Sequence, residues 1–352
     1  MHACVIHAAQ DLRVEEFTPS APAPGEAAVS VAFGGICGSD LHYYRHGRVG
    51  DFTVREPMVL GHEIVGHVAA LGPGAAGPAA GTPVAVHPAT PCDHCAECDA
   101  GRRNVCAATR YLGSAARTPH VQGGFAQYVT VPAAQLRALP PDLDLRRAVL
   151  AEPLSVALHA VRRAGAVRGR RVLVTGAGPI GCLVTAVLRH EGAAEVVVSD
   201  LMEAPLRIAR ACGATATVRV GADDDAQGRP FDVAVEASGA PAGLRTCVER
   251  TRRGGTVVLL GLLPPGEVPL LGNITVTREL ELRGAFRFDT EFDDAIRLLA
   301  DGLPVDAVVT HTFPLSEARA AFDLAHDRTI ASKVLLDLTR HTHPEATTTS
   351  TP

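Results

Sequence analysis

The chain has 352 residues, of which 47% are hydrophobic and 20% charged, with a formal net charge of -5. That balance excludes an intrinsically disordered chain and gives no electrostatic basis for a nucleic-acid partner. The length suits two domains better than one core, and one of them can interrupt the other. Apolar runs such as Val172–Val174 and Val257–Leu263 are strand-sized and punctuated by Gly or Pro, so no membrane span is expected. Met1-His2-Ala3-Cys4-Val5 has neither a basic n-region nor a long apolar h-region, which predicts a cytoplasmic protein.

Residues 1 to about 150 are rich in Gly and Pro, with short apolar alternations at Ala27–Phe33 and Val65–Val68; many short strands joined by turns are implied. After Glu152 the character changes. Helical patterns at Leu154–Ala164 and Ile180–Glu191 alternate with Val-rich strands at 171–175, 195–199, 231–235 and 256–260. That alternation marks an α/β unit with a parallel, doubly wound sheet and crossover helices. Val257–Leu262 is expected near the edge of this sheet, where it could pair across a two-fold axis. From about Leu282 strand signals return at Leu282–Phe286, Val308–Phe313 and Lys333–Leu338, with helices beginning near Thr290 and Ser316; the first domain resumes here. The polar tail 339–352 has almost nothing to bury and is expected to be disordered. Cys4, Cys182, Cys212 and Cys247 stand singly in apolar surroundings and are expected to be buried thiols.

Arg171–Thr175 runs as a strand into Gly176-Ala177-Gly178-Pro179-Ile180-Gly181, which opens an apolar helix. This is G-x-G-x-x-G in a strand–turn–helix setting: the first glycine makes the tight turn, the second admits a pyrophosphate, and the third permits close helix–strand packing. A second strand, Glu195–Ser199, ends in Asp200, placed to bind the adenosine ribose hydroxyls. A carboxylate there repels a 2′-phosphate, so NAD is expected, while Arg207 and Arg210 nearby leave NADP open.

Cys92, Cys95, Cys98 and Cys106 fall as C-x2-C-x2-C-x7-C in a loop-like stretch, a pattern suited to a tetrahedral structural zinc. An iron–sulfur cluster is the weaker alternative, because Ala107 rather than Pro follows Cys106. Asp93, Glu97 and Asp99 beside the thiols disfavour a nucleic-acid zinc module. A second constellation comprises Cys37, the pair His62-Glu63, and Glu152 at the domain junction. A thiolate, an imidazole and a carboxylate with an open fourth position would make a catalytic zinc.

Several of these stretches resemble the zinc-containing medium-chain dehydrogenases: Gly34-Gly35-Ile36-Cys37-Gly38-Ser39-Asp40-Leu41-His42-Tyr43-Tyr44, Pro57-Met58-Val59-Leu60-Gly61-His62-Glu63, Gly113-Ser114-Ala115 with Pro119-His120-Val121, and Phe286-Arg287-Phe288. The likeness runs to about Leu338 and lies within the polyol branch, the last two stretches pointing to sugar-acid-oxidising members. It implies a GroES-like catalytic domain at 1–152 with a structural-zinc lobe at 91–107, a Rossmann domain at 153–284, and a return to the catalytic domain at 285–338. It implies that Cys37 and His62 bind the catalytic zinc, with Glu63 and Glu152 as carboxylate ligands or one of them acting through a water. Ile180 packs near the pyrophosphate turn, and Gly261 and Phe286 approach the nicotinamide. Ser39 and His42 would carry a released proton outward, and Tyr43 and Arg287 would contact substrate. Pro205 departs from the polyol pattern, in which an Arg stands five residues past the ribose acid. Lys333, the only lysine, has no assigned role. The activity implied is oxidation of L-idonate to 5-keto-D-gluconate with NAD, the alternative being a neutral polyol such as sorbitol or xylitol. A non-catalytic zinc or nucleotide-binding protein is the rival from another class. The resemblance also implies a homodimer or homotetramer, with no nucleic-acid or membrane partner.

Overall fold

A computed structural model describes residues 1–222 and 228–339. The tail expected to be disordered therefore lies, beyond Thr339, outside the described residues. Strands β1 (His2–Ala8) and β2 (Asp11–Glu16) pair antiparallel. The chain continues through β3 (Glu26–Gly35), α1 (Gly38–His46), β4 (Glu63–Leu71), β5 (Pro83–Val86), β6 (Tyr128–Pro132) and β7 (Leu136–Ala138). Helix α2 (Ala151–Ala164) then leads into β8 (Arg171–Thr175), α3 (Pro179–His190), β9 (Glu195–Asp200), α4 (Glu203–Ala211), β10 (Ala216–Arg219) and β11 (Phe231–Glu236). After these come α5 (Pro241–Arg250), β12 (Thr251–Leu259), β13 (Glu281–Gly284), α6 (Phe292–Ala300), β14 (Val309–Pro314), α7 (Ala318–His326) and β15 (Lys333–Asp337).

Two sheets organise the molecule. In the first the order is β7-β5-β4-β3-β15-β14, with β6 also on β3. The last two strands therefore complete a sheet begun some 300 residues earlier, through the antiparallel register Leu335↔Gly35 and Leu336↔Gly34. The second sheet, β10-β9-β8-β11-β12-β13, is wholly parallel. Strand order reverses between β8 and β11, and the crevice at their carboxyl ends is where such sheets bind ligands. Near-continuous burial along β8, β9 and β11 explains their Val-rich composition, since helices cover both faces.

Val257–Leu259 lies in β12, near the sheet edge as expected, but β12 is the penultimate strand and the shorter β13 forms the edge itself. An apolar run reports burial on both faces but not the number of strands beyond it. One core cluster packs α2, α3 and α6 on the parallel sheet and continues into Val65 and Leu335 of the first sheet; a smaller cluster around Leu244, Cys247 and Val248 fills the opposite face. Cys4, Cys182, Cys212 and Cys247 are all buried thiols. Among the described residues no helix is long and apolar enough to cross a membrane.

Candidate active site

Where β3 ends, the chain turns at Ile36 and Cys37 and enters α1, whose start is fixed by the Cys37 N–H donating to Asp40 Oδ2 at 2.9 Å. Glu63 opens β4 directly opposite Gly35, and a side chain at Gly35 would collide with the Glu63 carboxylate, so glycine is required there. The neighbouring strand β15 delivers Lys333. Its Nζ donates to both Glu63 oxygens at 2.7 Å and to the Ile36 carbonyl at 3.0 Å. The pair is sealed from water, with side-chain exposures of 3% and 1%.

Cys37, His62 and Glu63 offer ligand atoms that all lie within 4.8 Å of one another. Glu152, in the first turn of α2, is buried nearby and its Oε1 accepts from the Tyr111 hydroxyl at 2.6 Å. The electrostatics explain what this cluster wants. Burial alone disfavours a charged His62, yet the Cys37 thiol and the Asp40 and Glu152 carboxylates outweigh it and push its pKa up to about 10. Burial drives Asp40 and Glu152 upward, the neighbouring Glu63 adding to both. Asp40 Oδ1 has no hydrogen-bond partner and faces His62 Nδ1 at 3.9 Å. One thiol and three carboxylates crowd two cationic side chains in a dry pocket. A divalent cation held by sulfur, nitrogen and oxygen fits this donor set, and zinc is the metal such a mixture favours.

Tyr111 links this cluster to the substrate side. Its ring lies 5.6 Å from that of His62 and beneath the Arg287 guanidinium, whose carbon stands 4.2 Å above it and 4.8 Å from the Phe286 ring. Arg287 adopts φ 54°, a left-handed conformation uncommon for a side-chain-bearing residue, and makes no hydrogen bond or close ion pair with a described residue. Burial lowers its pKa. Tyr43 is buried, its hydroxyl accepting from the Ala115 N–H at 3.0 Å. Ser39 and His42 lie three apart on α1, on one face, without a hydrogen bond between them.

The four-cysteine lobe is compact. Sulfur–sulfur distances are 3.6 Å for Cys95–Cys98, 3.8 Å for Cys95–Cys106 and 3.5 Å for Cys92–Cys106. Ligands about 2.3 Å from a tetrahedral zinc stand about 3.8 Å apart, so the thiols already describe its coordination shell. The Cys92 backbone N–H holds Cys106 down to about 6, whereas desolvation lifts Cys98 to about 12. Beside this lobe, Asn104 donates to the Phe286 carbonyl at 2.9 Å, tying it to the segment that carries Arg287.

In the second sheet, Gly178 caps α3 and Pro179 occupies its first turn. A side chain at Gly181 would strike the Gly176 carbonyl, while one at Gly178 would meet no protein atom within 4 Å. The turn is thus closed on its packing side and open where a pyrophosphate would lie. Ile180 packs against the core. Gly261 abuts the Gly239 backbone beyond the ends of β11 and β12, and Phe286 is exposed. Asp200 ends β9 but is not idle: Oδ2 accepts from the Ala177 N–H at 2.8 Å and from Arg328 at 2.7 Å. Tyr111 and Arg328 carried no sequence signal of their own, and Lys333 stood out only as the single lysine, with nothing nearby to say what it meets.

A fold of this kind with a thiol–imidazole–carboxylate centre defines a zinc-binding dehydrogenase. The description "Alcohol dehydrogenase GroES-like domain" matches residues 23–141 and "Zinc-binding dehydrogenase" matches 179–301. The chain belongs to this zinc-dependent medium-chain family of oxidoreductases. It is 39% identical over 315 residues to L-idonate 5-dehydrogenase (NAD(P)(+)) of Escherichia coli strain K12, covering 88% of this chain and 90% of that protein. To sorbitol dehydrogenase of Gallus gallus it is 37% identical over 331 residues, covering 91% and 92%. The crystal structure of the Escherichia coli L-idonate 5-dehydrogenase superposes with a TM-score of 0.91 at 37% identity, over 96% of this chain and 97% of that one.

The sealed Lys333–Glu63 pair yields a measurable expectation. Lys333→Met strands a buried carboxylate and should lower the unfolding free energy of zinc-stripped protein by about 3–5 kcal/mol, with Glu63→Gln restoring part of the loss in the double variant. Urea unfolding of the four proteins tests it; strictly additive losses would show that the two side chains are not coupled.

Proposed function

We propose that the chain oxidises a secondary hydroxyl of a sugar acid, L-idonate to 5-keto-D-gluconate, and passes the hydride to NAD. The observation that carries this reading is Arg287, a half-buried guanidinium stacked on Tyr111 and Phe286 with no carboxylate in close ion-pair contact. Its planar fork complements a carboxylate on the substrate. The L-idonate 5-dehydrogenase relative supports the same substrate. A neutral polyol such as sorbitol or xylitol is the second reading, favoured by the sorbitol dehydrogenase relatives and by the ability of the same fork to hold vicinal hydroxyls.

In this scheme the catalytic part spans 1–152 and 285–338 around a Rossmann domain at 153–284. Cys37, His62 and Glu63 hold the catalytic zinc, Glu63 being the carboxylate within common reach of the other two. Lys333 and the metal together balance the charges of the Cys37 thiolate, Glu63 and Glu152. Bound zinc supplies Lewis acidity to the substrate hydroxyl, and bound nicotinamide accepts the hydride. The Asp40 carboxylate faces His62 and favours its positive charge, and Tyr111 fixes Glu152 while supporting Arg287 from below. Tyr43 borders the substrate. Cys92, Cys95, Cys98 and Cys106 hold the structural zinc. Gly176, Gly178, Ile180 and Gly181 receive the pyrophosphate, Asp200 the ribose, and Gly261 and Phe286 border the nicotinamide.

Ser39 and His42 take the substrate proton toward solvent. Burial, with His46 close by, lowers the His42 pKa, so the imidazole is neutral near pH 7 and able to accept a proton. As pH falls through that depressed pKa the ring gains charge and the relay stops. The rate should therefore show an acid limb below about pH 6.5. His42→Ala should slow oxidation by about 10²-fold and flatten that limb; an unchanged pH profile would remove His42 from the relay.

The edge strand β13, near exposed Leu262 and Val276 at 64% and 75%, offers a surface for a homodimer or homotetramer. Light scattering is expected to give two or four copies, and a clean monomer at micromolar concentration would contradict it. Substrate choice is tested by NAD reduction with L-idonate, D-gluconate, sorbitol and xylitol in parallel. Arg287→Ala should cost about 10- to 150-fold in kcat/KM for L-idonate, the value of one charge-assisted fork, and much less for the polyols. Equal or better turnover of sorbitol by the unmodified protein would instead establish the neutral-polyol reading.

A further inference from the structure

Helix α1 ends on a second histidine to which the reaction above gives no part. His42 and His46 stand four residues apart, as H-x3-H, and so share one face of the helix. Both side chains reach solvent. Their ring centroids are 5.9 Å apart, with the planes inclined by 37°. Two imidazoles that hold one tetrahedral ion through nitrogens about 2.1 Å from it have ring centres about 5 Å apart, so a small turn of either side chain closes the remaining gap. Neither ring makes a hydrogen bond or ion pair with a described residue. The backbone beneath them is fixed, because Gly47 takes the left-handed conformation and its N–H donates to the Tyr43 carbonyl at 2.9 Å, closing the last turn. That turn is the negative end of the helix dipole, where a cation is favoured.

We propose that His42 and His46 together bind a divalent transition-metal ion such as zinc, with no ligand in common with either zinc centre, and that this ion stops the oxidation. The inhibitory part rests on the relay reading of Ser39 and His42. An ion on the His42 ring takes the lone pair that would receive the substrate proton, so the relay loses its acceptor. Burial, and after it the charge of His46, lowers the His42 pKa, which leaves the ring in the neutral form that a metal binds. With two protein ligands in place of three or four, and water in the other positions, the ion is exchangeable and its occupancy follows the free metal concentration. Paired imidazoles suit zinc, nickel and copper, whereas magnesium and calcium take oxygen ligands and do not compete.

Equilibrium dialysis of the zinc-loaded full chain against free zinc ion counts the metal directly. NAD reduction over the same zinc range, with the best of the four sugar substrates, reads its effect. The unmodified protein should take up one more zinc per chain beyond the resident ions, and its rate should fall in step. His46→Gln should keep the rate found without added zinc and weaken both uptake and inhibition by at least about tenfold. His46→Asp, which restores one ligand atom, should recover part of that loss, and magnesium at equal concentration should neither bind nor inhibit. The proposal is overturned by the absence of further zinc uptake, or by uptake and inhibition that His46→Gln leaves unchanged. Uptake that depends on His46 without any fall in rate would keep the ion on the pair and instead remove His42 from the relay.

Discussion

A buried ammonium on a buried carboxylate decides where three remote stretches of this chain can meet. Lys333 touches Glu63 and the Ile36 carbonyl at once, so the last strand, the start of β4 and the turn before Cys37 are held in one place. Neither charge could remain there alone, because an isolated ion in so dry a setting costs several kcal/mol. The pair is thus a constraint on register as much as a stabilising contact. A slip of one residue in β15 would turn Lys333 to the other face and leave Glu63 unpaired.

Tyr111 does for the substrate side what Lys333 does for the metal side. Its hydroxyl meets Glu152, its ring faces His62, and its upper surface carries Arg287. One aromatic side chain thereby fixes the spacing between the acid-rich centre and the guanidinium. The cysteine lobe enters this arrangement through Asn104 and the Phe286 carbonyl, so the packing of the four cysteines is tied to the segment bearing Arg287.

What could be read beforehand was what is local. The glycine turn occupies six consecutive residues and the thiol quartet fifteen, so spacing alone reports on both. The alternation of Val-rich strands with helices likewise exposes the parallel sheet, because two-sided burial writes itself into each strand. The partners that complete the site come from far away: Tyr111 lies 41 residues from Glu152, Arg328 lies 128 from Asp200, and Lys333 lies 270 from Glu63. Only the pairing of β15 and β4 on the two sides of β3 brings Lys333 to its acid. Which strand forms the edge of the parallel sheet is not local either: Val257–Leu259 looks alike whether one more strand follows or none does.

The burial of Lys333 has one more consequence. It is the only lysine in the sequence and it is sealed inside, so every side-chain amine of the molecule is hidden and the surface cations are arginines and histidines. Reagents that condense with lysine amines, including the ketone released by the proposed reaction, meet no lysine side chain at the surface.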